Sequence, residues 1–450
     1  MKKVLTYIAF LFFAIYTLSA QSLYEAKVGS ALNNSEWFEL RDLYVEGKDS
    51  LSPMLKTFSE SMLAYNFNRN DEACRAIDRL VNEHQAEIGV GNVMSMLYMK
   101  ATSLKRIGRY AEAAMVLDDI CKTFEPNSDS ASLSAFKELG KQYEALAQYE
   151  GINEVTISGD EGVASFRLDS IGQANRRSIT MMIPAAVNGK KQDIVFDSGA
   201  GVNIVSTSTA QRLGLDFYNI GTQMTGFGTQ QGGFAVAKEI AMGNITVKNV
   251  PFYVMNISSG VDSIDVHMKH LEMILGVEFI QSVKEFHLDF ARSAIVIPNN
   301  TTSFAEGNLP NMCYGTSGLF CVEAEIEGVP RLIHLDTGAT SSVLTTRYHA
   351  QYSDSIATNC VTAITRMAGA GGVSIENGYI LNEVNIGIGG VSYTFPTIFV
   401  SCNSNHDIGL GYGNLGMDYF LQFSKVIYNT ENMCLKLVPN SKTERINDED

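Results

Sequence analysis

Two five-residue stretches, Phe196-Asp197-Ser198-Gly199-Ala200 and Leu335-Asp336-Thr337-Gly338-Ala339, constrain this chain more than any other feature. Each ends an apolar run in one aspartate, followed by a hydroxyl residue, a glycine and an alanine. A single Asp-Ser-Gly also describes an ordinary turn, but here the surroundings repeat as well. Asn188-Gly189 and Glu327-Gly328 each place a glycine eight residues before the aspartate. Ile274-Leu275-Gly276 ends 79 residues after Asp197, and Asn414-Leu415-Gly416 ends 80 after Asp336. Phe279 and Tyr419 stand three past those glycines, Asp289 and Asn429 thirteen past, and the apolar runs Ile295–Ile297 and Leu435–Leu437 begin nineteen past. Landmarks in register over this length are an internal duplication.

One aspartate per copy gives the duplication a chemical meaning. Folded about a pseudo-twofold axis, the two loops meet and bring their carboxylates together. Two carboxylates in contact cannot both ionise cheaply, so one proton is shared between an acid and a base. Such a pair can activate water against an amide while protonating the carbonyl oxygen. With Asp-[Ser/Thr]-Gly-Ala after a strand and a later apolar-apolar-Gly in each copy, residues 152–440 resemble the pepsin/retropepsin clan of aspartic proteases. The spacing of 139 residues between the aspartates is nearer to two fused retropepsin-like subunits than to a pepsin. Asn414 departs from the apolar first position of the clan's bracing stretch.

The resemblance implies a duplicated all-β, bilobal acid-protease-like fold, with lobes over 152–300 and 301–440, and a catalytic pair Asp197 and Asp336. Ser198 and Thr337 would hydrogen-bond across the loops, Gly199 and Gly338 would allow tight backbone approach, and Ala200 and Ala339 complete the loop support. The clan carries a flap where this chain has Gly226-Phe227-Gly228, and the second lobe's equivalent lies around Gly369-Ala370-Gly371. An ordinary glycine-rich turn is the other reading of these stretches. Within lobe 1, Val155–Ile157 and Val163–Leu168 read as a first hairpin. Ile179–Val187 and Asp193–Phe196 read as a second, turning at Asn188-Gly189, and a short helix is expected over Ser206–Leu213. No metal or cofactor is called for, since water is the nucleophile. Ala200 and Ala339 stand where acid-working pepsins usually carry a hydroxyl donor, so the pair is expected to work toward neutrality.

Upstream, the pattern is helical: multidomain α + β overall. Met1-Lys2-Lys3, the apolar run Leu5–Leu18 and Ser19-Ala20-Gln21 have the three parts of a signal peptide over 1–20, the run being short for the ~20 residues of a spanning helix. Export to the periplasm or beyond the cell follows, with no membrane span after signal removal. Over 22–150, apolar residues recur at helical spacing, as in Trp37, Leu40, Leu43 and Tyr44, or Ala113, Ala114, Leu117 and Cys121. Helix starts at Asn70 and Tyr110 lie 40 residues apart, and Gly108-x-Tyr110-x-x-Ala113 with Pro126 resembles a tetratricopeptide helical hairpin. That pattern suits a docking surface for a protein partner and equally a helical domain packed for stability. Residues 21–150 hold 14 Lys+Arg against 20 Asp+Glu, which argues against a prosegment built to neutralise an acidic cleft. The whole chain has a formal net charge of −15, which argues against nucleic acid and anionic membrane surfaces as partners. Residues 441–450 read as a mobile tail.

Other patterns do not carry chemistry. Seven cysteines without a C-x-x-C make a zinc site improbable, and only Cys313 and Cys321 lie close enough in sequence to suggest a bridge between neighbouring strands. His267 and His270 have no third ligand nearby. Gly411-Tyr412-Gly413-Asn414-Leu415-Gly416 matches a dinucleotide fingerprint, but too little chain follows for a Rossmann domain. Glu278 and Asp418 each open a short helical stretch and suit a helix N-terminus. The leading expectation is therefore an aspartic endopeptidase acting on peptide or protein substrates. Its rival is an inactive protease-like module that binds peptides, with the helical domain as a docking unit.

Overall fold

The computed structural model describes residues 23–125, 130–171, 178–225, 229–255, 271–305, 307–369, 372–403, 409 and 411–440. The leader at 1–20, the tail at 441–450, Pro126, and His267 and His270 lie outside the described residues. The chain divides between Glu150 and Gly151 into a helical unit and a β-rich unit.

In the helical unit, helices Leu23–Asn33, Trp37–Gly47, Pro53–Asn66, Asn70–Arg106, Tyr110–Phe124 and Ser130–Leu146 each pack on the next. The periodic apolar residues form their inner faces: Trp37, Leu40, Ala73, Ile77, Leu80, Ala113, Leu117 and Phe136 are all buried. Asn70–Arg106 is broken at Gly89, whose φ of 77° no right-handed helix accommodates. The 40-residue offset read from the sequence reappears in two turns. Asn68 (φ 58°) and Gly108 (φ 76°) are both left-handed, and the next amides, Arg69 and Arg109, bond back to Ala64 and Leu104 at 2.8 Å. Asn is the residue that best replaces glycine in that conformation. Among the described residues no helix is long and apolar enough to cross a membrane.

The β-rich unit contains both aspartate stretches and the landmarks that repeat around them. A nine-stranded sheet is built from strands between Glu154 and Leu275, and an eight-stranded sheet from strands between Met312 and Leu415. A five-stranded antiparallel sheet draws on both halves, with Glu285–Asp289 paired to Phe423–Asn429. There Phe286 stacks on Tyr428, ring centroids 4.7 Å apart and nearly parallel. Asp289 and Asn429 play the same part at the strand ends: each side-chain oxygen accepts the amide three residues on, Arg292 at 3.0 Å and Asn432 at 2.7 Å. The core is continuous through both halves.

The hairpin expected across residues 158–162 is not formed. Glu154–Ile157 pairs with Ile245–Met255 in the nine-stranded sheet, whereas Glu161–Ser165 pairs with Ala294–Pro298 in the five-stranded one. Asn244 holds the corner between the sheets. Its side chain donates to Ser158 O (2.7 Å) and Glu161 O (2.8 Å) and accepts from Val163 N (2.6 Å). Two strands of suitable length and a glycine-rich link thus serve a change of sheet. Cys313 and Cys321 stand opposite each other on paired strands, but no disulfide joins them.

Candidate catalytic site

In each half, a hairpin delivers the aspartate. Ser178–Val187 and Lys190–Phe196 pair tightly around Asn188 (φ 48°) and Gly189 (φ 77°). Phe320–Ile326 and Val329–Leu335 do so around Glu327 (φ 50°) and Gly328 (φ 74°). Two consecutive positive φ values define the type I′ turn that matches strand twist, so the repeated glycine is explained by backbone geometry. The outgoing strand of each hairpin lies parallel to the bracing stretch. Asp197 N donates to Leu275 O at 3.0 Å, and Asp336 N to Leu415 O at 2.9 Å. Beyond these, Val277 N and Met417 N close onto Ala200 O and Ala339 O at 2.7 and 2.8 Å. A Cβ on Gly276 or Gly416 would strike those same loop carbonyls. The dinucleotide-like run 411–416 is this brace, with Gly413–Leu415 a strand beside Val329–Leu335.

The two loops interlock through their hydroxyls. Ser198 Oγ donates to Leu335 O (2.9 Å) and accepts from Thr337 N (3.0 Å). Thr337 Oγ1 donates to Phe196 O (3.2 Å) and accepts from Ser198 N (2.9 Å). Both residues are buried, so each exchange satisfies backbone groups that would otherwise be orphaned. Gly199 and Gly338, expected to allow tight backbone approach, each lie against the carboxyl of the opposite loop. Neither has a left-handed φ; a Cβ on Gly199 would land inside the carboxyl of Asp336, and one on Gly338 inside that of Asp197.

The structure thereby brings Asp197 and Asp336 together, their carboxyls within hydrogen-bonding reach of each other. Asp197 Oδ1 accepts from Gly199 N at 2.8 Å. Asp336 Oδ1 accepts from Gly338 N and Ala339 N, both at 2.9 Å, and Asp336 Oδ2 from Asn414 Nδ2 at 3.1 Å. Burial and the charge of Asp336 push the Asp197 carboxyl up to about 7, against the opposing pull of the Gly199 and Ala200 amides. Both aspartates retain partial solvent access. A carboxyl that keeps its proton beside a second carboxylate, open to water, is an acid–base pair able to work at neutral pH.

Around the loops, supports differ in detail. Asn203 Oδ1 accepts Gly276 N at 2.9 Å, and in the second half Ser342 Oγ accepts Gly416 N at the same distance. Ser342 also donates through N and Oγ to Asp418, at 2.8 and 2.6 Å. Asp418 therefore does more than face a helix N-terminus: it anchors the chain leaving the second loop, and burial holds its carboxyl above the usual range. The helix after the first loop runs Thr207–Leu213, its Ser206 cap accepting Thr209 N at 3.2 Å.

Sequence reasoning noted Asn414 as a departure from pattern without assigning it a contact, and it missed His334 and Tyr428. His334 Nδ1 lies 2.5 Å from Asn414 Oδ1, and Tyr428 lies near enough for its phenol to feel the Asp336 charge, which adds to burial in raising it. Gly226, Phe227, Gly228, Ala370 and Gly371 lie outside the described residues. Their flanking strands pair Thr225 with Thr229 and Gly369 with Gly372.

The paired loops and doubled sheets define an α + β protein with an acid-protease-like β unit. Residues 183–279 match the family model described as Aspartyl protease, a span that includes the first loop and its brace. No curated protein matches the chain. Among solved structures, it is similar to a retropepsin-like aspartic protease from Rickettsia conorii (20% identity, TM-score 0.21, covering 33% of this chain and 95% of that one). It is also similar to conglutin gamma of lupine seeds (11%, TM-score 0.40, 63% and 96%) and to basic 7S globulin from soybean (10%, TM-score 0.40, 64% and 96%).

Proposed function

We propose that the protein is an aspartic-type endopeptidase in which Asp197 and Asp336 activate water against a peptide bond. The observation that carries this reading is the reciprocal hydroxyl exchange of Ser198 and Thr337, which fixes the two carboxyls in contact across the halves. Water oxygen adds to the carbonyl carbon as its proton passes to the ionised carboxylate. The protonated carboxyl gives its proton to the carbonyl oxygen, forming a gem-diol. As the C–N bond breaks, a proton moves to the leaving nitrogen, and an acid and an amine are released. The raised Asp197 carboxyl supports activity extending toward neutrality, and the alanines at 200 and 339 fit the same expectation.

The leader-like first twenty residues support export, to the periplasm or beyond the cell. The stacked helices support a docking role for a protein partner. Phe227, between two glycines, suits the apolar contact of a cover over bound peptide.

The test is incubation of the purified chain with a complex peptide mixture, followed by mass spectrometry of new internal termini. Cleavage that survives EDTA and disappears in Asp197→Asn supports the proposal. Cleavage equal in that variant, or stopped by chelation, contradicts it.

A further inference from the structure

One cross-strand pair beside the site breaks the duplication. In the first half, Val195 faces Ile274 across the parallel strands; in the second, the same register places His334 opposite Asn414. An apolar pair has become a buried polar one, His334 being 1% exposed. Apolar residues fill this position in the other half without difficulty, so packing alone does not call for the polar pair. Burying it costs free energy unless its hydrogen bonds are made.

Those bonds run in one direction. His334 Nε2 has no partner among the described residues, and burial holds the imidazole below its usual range, hence neutral. The single ring proton therefore belongs on Nδ1, where Asn414 Oδ1 accepts it at 2.5 Å. Accepting there fixes the amide's orientation, with Nδ2–H aimed at Asp336 Oδ2 at 3.1 Å. Ile274, at the equivalent place beside Asp197, has no donor to offer. A donated N–H favours a carboxylate over a carboxylic acid. The other titratable groups facing Asp336 are Asp197, His334 and the Tyr428 phenol. With the imidazole and the phenol neutral, the partition of charge is decided between the two aspartates.

We propose that Asn414, oriented by His334, is a positioning residue that places the negative charge of the pair on Asp336 and leaves the proton on Asp197. On the endopeptidase reading, on which its catalytic consequence rests, Asp336 takes the proton of the attacking water and Asp197 protonates the carbonyl oxygen. The two halves, alike in their loops, are unequal in role.

The test uses the full chain and two readouts. In Asn414→Leu, the acid limb of kcat/KM moves up by about half a pH unit or more as the ionised pair loses a donor. His334→Gln keeps an N–H for Asn414 and retains the wild-type limb. His334→Leu frees the amide to rotate, and its limb moves as in Asn414→Leu. His334→Val with Asn414→Ile rebuilds the first half's apolar pair, so that a folded protein with a moved limb is obtained even where the single variants are unstable. Separately from activity, in the His334→Gln background, which has no imidazole at this position to titrate, the melting temperature of Asn414→Leu falls further below that of its His334→Gln parent at pH 7 than at pH 4. An unmoved limb with a pH-independent melting gap overturns the inference and leaves the endopeptidase reading intact. A pH-dependent gap in a protein that cleaves no peptide supports the charge placement and overturns the endopeptidase reading.

Discussion

The two halves of the β unit agree closely where the loops meet and diverge one residue away. Both have the I′ turn, the interlocked hydroxyls, the bracing glycine and the glycine that leaves room for the opposite carboxyl. Only the second replaces an apolar pair by His334 and Asn414. Steric demands explain the agreement, since a Cβ at Gly199 or Gly338 has no free volume to enter. Behind the loops, either kind of side chain fills the space, and the two halves are free to differ in charge. The two similar loops thus supply two carboxylates, and the unlike pairs behind them give those carboxylates different environments.

The largest expected effects test the agreement. Gly199→Ala and Gly338→Ala should be equally severe, each pushing a methyl into the opposite carboxyl. Each should reduce kcat/KM by at least about 100-fold, because a displacement of about 1 Å in a reacting group costs that much. A mild effect in one half alone would show that the loops do not approach symmetrically.

Next come the hydroxyls. Ser198→Ala removes the acceptor for Thr337 N, and Thr337→Val removes the acceptor for Ser198 N. An orphaned buried amide costs about 1–3 kcal/mol, so each variant should lower stability to urea by a similar amount. The double variant should cost less than the sum of the singles, because the two residues form one network. Strict additivity would argue that the two exchanges are independent.

A smaller effect separates the halves by pH. The Asp197 carboxyl is raised above its unfolded value to about 7, with burial as the largest cause. Its contribution to stability is full below the unfolded value, near 3.9, and is lost as pH rises through about 7. Asp197→Asn should therefore flatten the decline in melting temperature between pH 5 and 8. A decline of unchanged slope would place the titrating group elsewhere.

The smallest effect concerns the alanines. Ala200→Ser and Ala339→Ser together should lower the acid limb of kcat/KM by a fraction of a unit, because a hydroxyl donor favours the ionised pair. An unmoved limb in the folded double variant would refute that argument.

Much of this was legible in the sequence because the constraints act over short distances. Positive φ values at 188–189 and 327–328 demand residues that tolerate them, and the glycine spacing reveals the hairpins. The loop glycines were visible too, although their reason lies in the opposite half. What could not be read depends on which distant strands pair. His334 looks like one polar residue within an apolar strand until residue 414 is known to lie beside it. Residues 155–168 look like a hairpin until Asn244 is seen to hold a corner between two sheets. The buried group around Glu285 was missed for the same reason. Its carboxylate accepts Asn429 Nδ2 (2.9 Å) and Thr302 N (3.1 Å) and faces His287 Nε2 (2.9 Å), contacts spread over more than 140 residues of sequence.

The unequal sharing of one proton between two similar loops is open to direct observation by neutron diffraction from deuterium-exchanged crystals of the full chain near pH 6. The expected nuclear density shows a deuteron on the Asp197 carboxyl, none on Asp336, and an Asn414 deuteron directed at Asp336 Oδ2. A deuteron on Asp336 instead, or on neither carboxyl, would contradict the assignment.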